Sequence, residues 1–538
     1  MAWKMLPAAS ELFPALVRAG TTTPRPRPPR AARNSPIVHR HAPPAARLAG
    51  GAGTTTTLVV DVDGALLLSR SLFPYFMLVA LEAGGFLRAL VLLLIYPAIR
   101  CCRLGGGGDL AVHTMAAVAF CGLRARTFRA GRAVLPRWLL EDVAAEALDA
   151  ARRVGDDDPA RVVWASAMPR VMVEPFLREY LQVPAAAVVA AREMKTAWGF
   201  YTGLMEGDEN CEAMMALVPK TTTTMASAWE AGDVEVYVVS PEEQSKWRRL
   251  ARPDYPTPLV FHDGRLAFLP TPLNTVAMFT WLPLGAALSV LRLAVALALP
   301  YRVTTALHAA TGQSWRLRGS LPNPVGDGAA ALYACNHRTL IDPVYVSVAL
   351  DRPVRAVSYS LSRVSDLLSP IGATVRLARD RARDGAAMAR LLARGDSVVV
   401  CPEGTTCREP YLLRFSPLFA ELGGDAGVVP VALAVDTSMF YGNTASGWKA
   451  VDPFYYLSNP RMCYTVQFLD RVDTADVVSG GKAASADVAN RVQRLIAEAL
   501  GYECTMLTRK DKYLMLVGND GVVAAPRRAA NKKAKHPM

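Results

Sequence analysis

His337 and Asp342, five positions apart in residues 336–343 (NHRTLIDP), are a base and an acid that can work as a pair. An imidazole with an ordinary pKa near 6.5 is a competent base at neutral pH. A carboxylate on its other nitrogen fixes the tautomer and stabilises the imidazolium that forms. Such assistance is worth roughly 10² to 10⁴ in rate. On one continuous helix, residues five apart diverge by about 140°, so the pair meets only if a loop turns Asp342 back toward the ring. Residues 331–335 (ALYAC) read as a strand, and Asp342 followed by Pro343 reads as a helix start with a capping carboxylate. His337 then falls in a strand-to-helix loop. By itself the pattern also fits a plain helix cap beside an incidental histidine.

Further along, residues 397–401 (SVVVC) form a second apolar, strand-like run that leads into Pro402, Glu403, Gly404, Thr405 and Thr406. Loops at the carboxyl ends of such strands are where α/β folds bind ligands. Gly404 permits close backbone approach. The hydroxyls of Thr405 and Thr406, with the Arg408 guanidinium, are suited to a polyol and its phosphate. Between the two loops, residues 374–381 (TVRLARDR) are strand-like and end in arginines, which fork onto phosphate well. Arg376, Arg379, Arg381 and Arg383 also fit a solvated basic face.

NHRTLIDP, VRLARDR, CPEGTTCREP and residues 428–432 (VVPVA) follow the order and approximate spacing of the four blocks of the glycerolipid acyltransferase superfamily. Residues 170–181, 261–283 and 503–521 narrow this to a resemblance to the land-plant glycerol-3-phosphate acyltransferases of cutin and suberin synthesis, over roughly residues 55–521. The resemblance implies that His337 is the general base for a glycerol hydroxyl and that Asp342 orients it. It implies that Arg379, Glu403 and Gly404 bind glycerol 3-phosphate, with Thr405 beside them and Arg381 the other candidate for the phosphate. Val429 and Pro430 would line the acyl side. The expected partners are acyl-CoA, glycerol 3-phosphate and membrane lipids. Expected chemistry is acylation of the middle hydroxyl to lysophosphatidic acid, with no cofactor and no covalent acyl-enzyme.

In the amino-terminal half, an apolar strand at 57–60 runs into Asp61, Val62, Asp63 and Gly64. Two carboxylates two apart at a strand end look like the haloacid-dehalogenase-type phosphatases, where the first attacks phosphorus and the second protonates the leaving group. Ser166, ending the strand-like run 161–166, matches the second motif of that family. The match then thins. The acids expected between about 205 and 240 have only Asp208 and Asp233 as poor substitutes, and Lys195 and Lys220 are the candidates for the family's lysine. Mg²⁺ is expected only if this domain is active, in which case the product would be a 2-monoacylglycerol. A structural turn is the competing reading of Asp61 and Asp63.

The expected fold class is α/β: a haloacid-dehalogenase-like Rossmannoid domain at 55–255 and an acyltransferase α/β domain at 306–521. A hydrophobic connector at 256–305 joins them, a disordered basic stretch (1–54) precedes them, and a basic tail (522–538) follows. Hydrophobic residues are 51% against 20% charged, with a mean hydropathy of +0.18, which suits a membrane-associated enzyme. Residues 72–99 and 275–300 are the apolar stretches, each long enough to span a bilayer but interrupted. The net charge of +13 suits anionic membranes and substrates. The basic residues are dispersed, without a zinc-finger spacing or RNA-binding sheet signature, which argues against nucleic acid. Residues 1–50 hold seven arginines and one lysine against Glu11, as transit peptides do, but their prolines oppose an amphipathic helix, and the resemblance implies the endoplasmic reticulum, with the active site facing the cytosol, in preference to a plastid or mitochondrion. The nine cysteines suggest reduced thiols facing the cytosol, and the spacing of Cys401 to Cys407 is not that of a metal site. Oligomeric state is not set by any of this.

Overall fold

The computed structural model of the protein describes residues 37–39, 58–159, 162–207, 224–227, 235–238, 244–322, 330–358, 374–378, 380–424 and 427–520. Arg379, Asp208, Asp233, Lys220 and the basic tail lie outside the described residues.

Short runs of β-branched residues build two separate sheets. In the amino-terminal domain the strands are β1 (Ile37–His39), β2 (Leu58–Asp61), β3 (Val162–Ser166), β4 (Val188–Ala191), β5 (Glu193–Ala197), β6 (Phe200–Glu206), β7 (Thr224–Ser227) and β8 (Glu235–Val238). Six of them form one sheet in the order β1-β8-β7-β2-β3-β4, while β5 and β6 make a hairpin. All four β2 residues are buried, as expected of a strand covered on both faces. β1 is a correction to the expectation of disorder before residue 55. Its Ile-Val pair joins the sheet edge through parallel pairing with β8, an interaction made by backbone and therefore weakly written in composition.

The apolar stretch inserted between β2 and β3 is not one span. It breaks at Gly85, whose φ of +86° an L side chain rarely adopts, into α1 (Phe73–Glu82) and α2 (Phe86–Leu104), followed by α3 (Gly108–Phe120). α1 is buried from Phe73 to Ala80 and is a core helix. α2 is open, with Leu87 and Leu94 largely exposed.

The connector is a 27-residue helix, α4 (Pro272–Ala298), capped by the Thr271 hydroxyl on the Asn274 N–H and followed by α5 (Tyr301–Ala310). Among the described residues α4 alone is long and apolar enough to cross a membrane. Its polarity is inverted relative to a soluble helix. Thr275, Ser289 and Arg292 face the protein, whereas Leu273 (77% exposed), Leu284 and Val290 face outward. Arg292 donates to the carbonyls of Leu457, Asn459 and Thr311, which fixes α4 against the carboxyl-terminal domain.

That domain carries β9 (Gln313–Arg318), β10 (Leu332–Cys335), β11 (Arg355–Ser358), β12 (Val375–Arg376), β13 (Val398–Val400), β14 (Tyr411–Leu412), β15 (Val428–Thr437), β16 (Met462–Phe468) and β17 (Glu503–Cys504). Seven of them are ordered β12-β11-β13-β10-β15-β16-β9, parallel except for the β15–β16 pair. The sheet is flanked by α6 (Asp342–Leu350), α7 (Arg381–Ala393) and α8 (Ala475–Leu500), while α9 (Arg509–Leu516) packs through Leu516 with Ala133, Val260 and Phe261.

Residues 261–265 join the two domains. The Asp263 carboxylate accepts from the N–H groups of Ala445 (2.9 Å) and Ser446 (3.0 Å), and Glu82 accepts from Arg265 N (2.6 Å). Gly264 lies between them at φ +103°, where an added Cβ would sit 3.1 Å from the Glu82 carboxylate, so both its conformation and its space favour glycine.

Candidate active site

β10 and β13 lie side by side in parallel register, so their carboxyl ends deliver the His337 loop and the Glu403 loop to the same edge. Asn336 locks the first loop by completing the ladder with a side chain. Its amide donates to the Leu433 carbonyl (2.9 Å) and accepts from the Leu433 N–H (2.7 Å). The loop then turns back, and His337 Nδ1 meets Asp342 Oδ2 at 2.9 Å.

Asp342 is fully buried, yet it is not the helix cap expected from Asp-Pro. α6 begins at Asp342 itself, and its carboxylate folds back over the preceding loop instead of the first helical turn. It accepts from the N–H groups of Arg338 (2.6 Å) and Thr339 (2.9 Å), from the Thr339 hydroxyl (3.1 Å) and from the Tyr464 hydroxyl. These donors fix the carboxylate, and the carboxylate fixes the ring. Burial disfavours the charged imidazole, but the Cys401 sulfur and the Asp342 bond outweigh it, so His337 is held well above its ordinary value. The hydrogen bond with Cys335 (Sγ–Sγ 3.4 Å) and burial raise the Cys401 thiol well above its usual range, while the neighbouring His337 acts in the opposite direction.

Glu403 is buried, and both its oxygens are engaged: Oε1 accepts from His337 N (2.7 Å) and Oε2 from Leu413 N (3.0 Å). Burial lifts it to about 7. Its visible work is to tie the two loops together. Cys407 N–H donates to the His337 carbonyl (2.9 Å), so residues 403–407 are tethered to His337 at both ends. Gly404 takes φ +66° with open space around it, and Thr405 and Thr406 lie between the tethers.

His337, Cys401, Glu403, Gly404, Thr405 and Thr406 line one cavity of about 1260 Å³. Pockets for single small ligands run to about 1,000 Å³, so there is room for two substrates. Its wall includes the apolar residues Leu293, Ala296 and Leu299 of the α4 region and the cations Arg381, Arg414, Lys449, Arg509 and Lys512.

Several expected ligands are placed differently. Arg381, the first residue of α7, reaches the cavity but pairs with Glu421. Arg408 does not line the cavity. It is buried over the Tyr441 ring and donates to the Gly264 carbonyl (2.9 Å), making it part of the domain junction. Val429 and Pro430 are also absent from the wall, because both are buried within β15, the strand between β10 and β16. Thr339, Tyr464, Asn336 and Lys512 were not singled out from sequence. Lys512 falls in the 503–521 run that helped to define the resemblance, and that was its only signal. Cys401 too comes closer than its spacing suggested: one donor atom from each of His337, Asp342 and Cys401 lies within 4.8 Å of the others. Asp342 is saturated by its five donors, so this cluster is built to hold an imidazole.

In the amino-terminal domain Asp61, Asp63 and Ser166 do meet. Asp61 Oδ1 accepts from the N–H groups of Asp63 and Gly64 (both 3.0 Å), and Asp63 accepts from Ser166 Oγ (2.7 Å) and Ala167 N. Burial and mutual repulsion raise Asp61 to about 8, and burial raises Asp63 to about 6. Lys195 is committed to Glu206 (3.0 Å). A resident Mg²⁺ would want near-octahedral oxygen coordination. Among the described residues no third His, Cys, Asp or Glu joins this pair, and Asp208 and Asp233 lie outside them.

Residues 57–249 match the family model described as the HAD-like domain of RAM2-like glycerol-3-phosphate acyltransferases, and residues 316–434 match that of the acyltransferases. The chain is 45% identical to "Probable glycerol-3-phosphate acyltransferase 3" of Arabidopsis thaliana, over 87% of this chain and 91% of that one. It is 43% identical to "Glycerol-3-phosphate acyltransferase 1" of the same plant, over 87% and 82%. It is 40% identical to "Glycerol-3-phosphate acyltransferase RAM2" of Petunia hybrida, over 88% and 99%. Among solved structures, the lysophosphatidate acyltransferase PlsC of Thermotoga maritima aligns at a TM-score of 0.28 and 12% identity, over 43% of this chain and 95% of that one. The chain belongs to the plant glycerol-3-phosphate acyltransferases and joins a HAD-like amino-terminal domain to a carboxyl-terminal acyltransferase domain.

Proposed function

We propose that the protein transfers an acyl group from acyl-CoA to the middle hydroxyl of glycerol 3-phosphate, giving lysophosphatidic acid at a membrane surface. The observation that carries this reading is the His337–Asp342 contact of 2.9 Å, with His337 on the wall of a cavity lined by both apolar and basic side chains. With Nδ1 engaged by Asp342, the proton from the acceptor hydroxyl goes to Nε2. The resulting alkoxide attacks the thioester carbonyl, the C–S bond breaks, and the departing thiolate recovers the proton from the imidazolium. A thioester is already activated, so no covalent acyl-enzyme and no cofactor are required. Holding both substrates in one cavity supplies much of the remaining acceleration.

The outward-facing leucines of α4 and α2 support membrane seating, and Arg292, held inward, supports an in-plane arrangement over a simple crossing. The cytosolic face of the endoplasmic reticulum and ω-oxidised chains destined for cutin- or suberin-type polyesters follow from the resemblance. A second reading, in which the Asp61 domain also removes phosphate to release 2-monoacylglycerol, rests on two carboxylates alone. The deciding assay gives purified protein labelled glycerol 3-phosphate and a panel of acyl-CoAs, with products separated by headgroup and acyl position. Labelled 2-acyl lysophosphatidic acid is the expected product. No acylated product, or acylation at the terminal carbon only, refutes the corresponding part.

A further inference from the structure

The acids on the cavity wall are already committed. Asp384 accepts from Ala378 N (2.7 Å), Asp452 pairs with Arg265 (2.6 Å), and Glu403 holds His337 and Leu413. Lys512, on α9, differs from the other cations of that wall. It is 8% exposed, and Nζ donates to the Thr406 carbonyl, Thr406 Oγ1 (3.1 Å) and Thr405 Oγ1 (3.4 Å). Among the described residues no carboxylate pairs with it. Lysine is almost never fully buried without a counter-ion, because desolvating an ammonium is costly. Burial and the nearby Arg408 guanidinium draw it down to about 8, against the opposing pull of Asp263. Thr405 and Thr406 are the residues tethered to His337 on both sides, so the ammonium is anchored to the catalytic loop itself. Lys449, on the same wall, donates to Tyr513, the residue next to Lys512.

We infer that Lys512, with the hydroxyls of Thr405 and Thr406, forms the anchor for the phosphate of the acyl acceptor, and that this role does not fall to Arg381, which Glu421 already holds. The site takes a small phosphomonoester whose free hydroxyl extends toward His337. The inference rests on the acyl-transfer reading above and adds to it a binding group supplied from outside the residues that match the acyltransferase family model.

Steady-state kinetics of Lys512→Met and Lys512→Arg test it. In Lys512→Met the KM for glycerol 3-phosphate should rise roughly 10- to 100-fold, as expected for a charge-assisted bond to phosphate. The KM for acyl-CoA should stay unchanged, and Lys512→Arg should recover much of the loss. Unphosphorylated glycerol should be used equally poorly by the wild type and Lys512→Met. An unchanged acceptor KM overturns the inference, as does a loss that falls on the thioester instead, which would assign the ammonium to a coenzyme A phosphate. Should Lys512→Met fail to fold, wild-type protein suffices. Glycerol 3-phosphate should protect Lys512 from amine acetylation mapped by mass spectrometry, and equal labelling with and without it overturns the anchor. Wild-type protein that acylates no glycerol 3-phosphate sinks the parent reading and this one together, whereas active wild type with an indifferent Lys512→Met sinks this one alone.

Discussion

The molecule holds two acid-bearing loops at strand ends, one in each domain, and they are finished to different degrees. Asp342 has an imidazole, two hydroxyls and two backbone N–H groups converging on it. Asp61 and Asp63 are less enclosed, what faces them is each other, and among the described residues their direct partners are neutral N–H and hydroxyl donors. A buried carboxylate is tolerated when charge and hydrogen bonds compensate it and is costly otherwise. The first loop therefore holds an imidazole and a carboxylate that compensate each other. The second is a pair of carboxylates that favour the protonated state. Substitutions at the two loops should have opposite consequences.

The largest effect is expected at His337. His337→Ala removes the proton acceptor while the sheet beneath it keeps its packing, so kcat should fall roughly 10² to 10⁴-fold with little change in melting temperature. A variant that stays within a few-fold of wild type would end the general-base assignment.

Asp342→Asn comes next and sharpens the comparison. The amide keeps an acceptor for the loop N–H groups but removes the charge and the support for the tautomer, so kcat should drop by about 10² or more. The same change shifts the pH profile. His337 must be neutral to accept a proton, and its value is raised in the folded protein, so wild-type kcat/KM should climb through a pKa above 6.5. Without the Asp342 carboxylate that limb should move toward acid. A limb that stays put would mean that another group titrates.

Legibility in the sequence followed the distance over which each feature is made. His337 and Asp342 lie five residues apart, and the strands on either side of them are short apolar runs, so the pair and its loop could be read directly. Tyr464 reaches Asp342 across 122 residues, and Lys512 reaches Thr406 across 106. No local pattern encodes such contacts. Arg408 misled for a related reason: its place beside Thr405 and Thr406 suggested a phosphate ligand, but where a side chain points depends on what packs there, and Tyr441 and Gly264 claimed it. The apolar stretches were legible as helices, but their burial was not. Similar compositions gave α1, which the core encloses, and α4, whose apolar side is bare.

The smallest predicted effect lies in the other loop and has the opposite sign. Asp61 and Asp63 have folded-state values of about 8 and about 6, above the 3.8 of an ordinary aspartate. A carboxyl whose value rises on folding binds its proton more tightly in the native state, so its contribution to stability is present below about pH 4 and is lost as pH climbs through the folded values. At pH 8 Asp63 is ionised and Asp61 about half so, and the penalty of two like charges is complete only as pH rises beyond the Asp61 value. Asp61→Asn keeps an oxygen for the N–H groups of Asp63 and Gly64 and removes one charge, so it should raise stability at pH 8 by roughly 1–3 kcal/mol. That gain should vanish near pH 3, and acylation of glycerol 3-phosphate should be untouched. Thermal melts of wild type and variant across this range provide the measurement. A destabilised Asp61→Asn at pH 8 would mean that the carboxylate is compensated after all by a cation, and the two loops would then be equally complete.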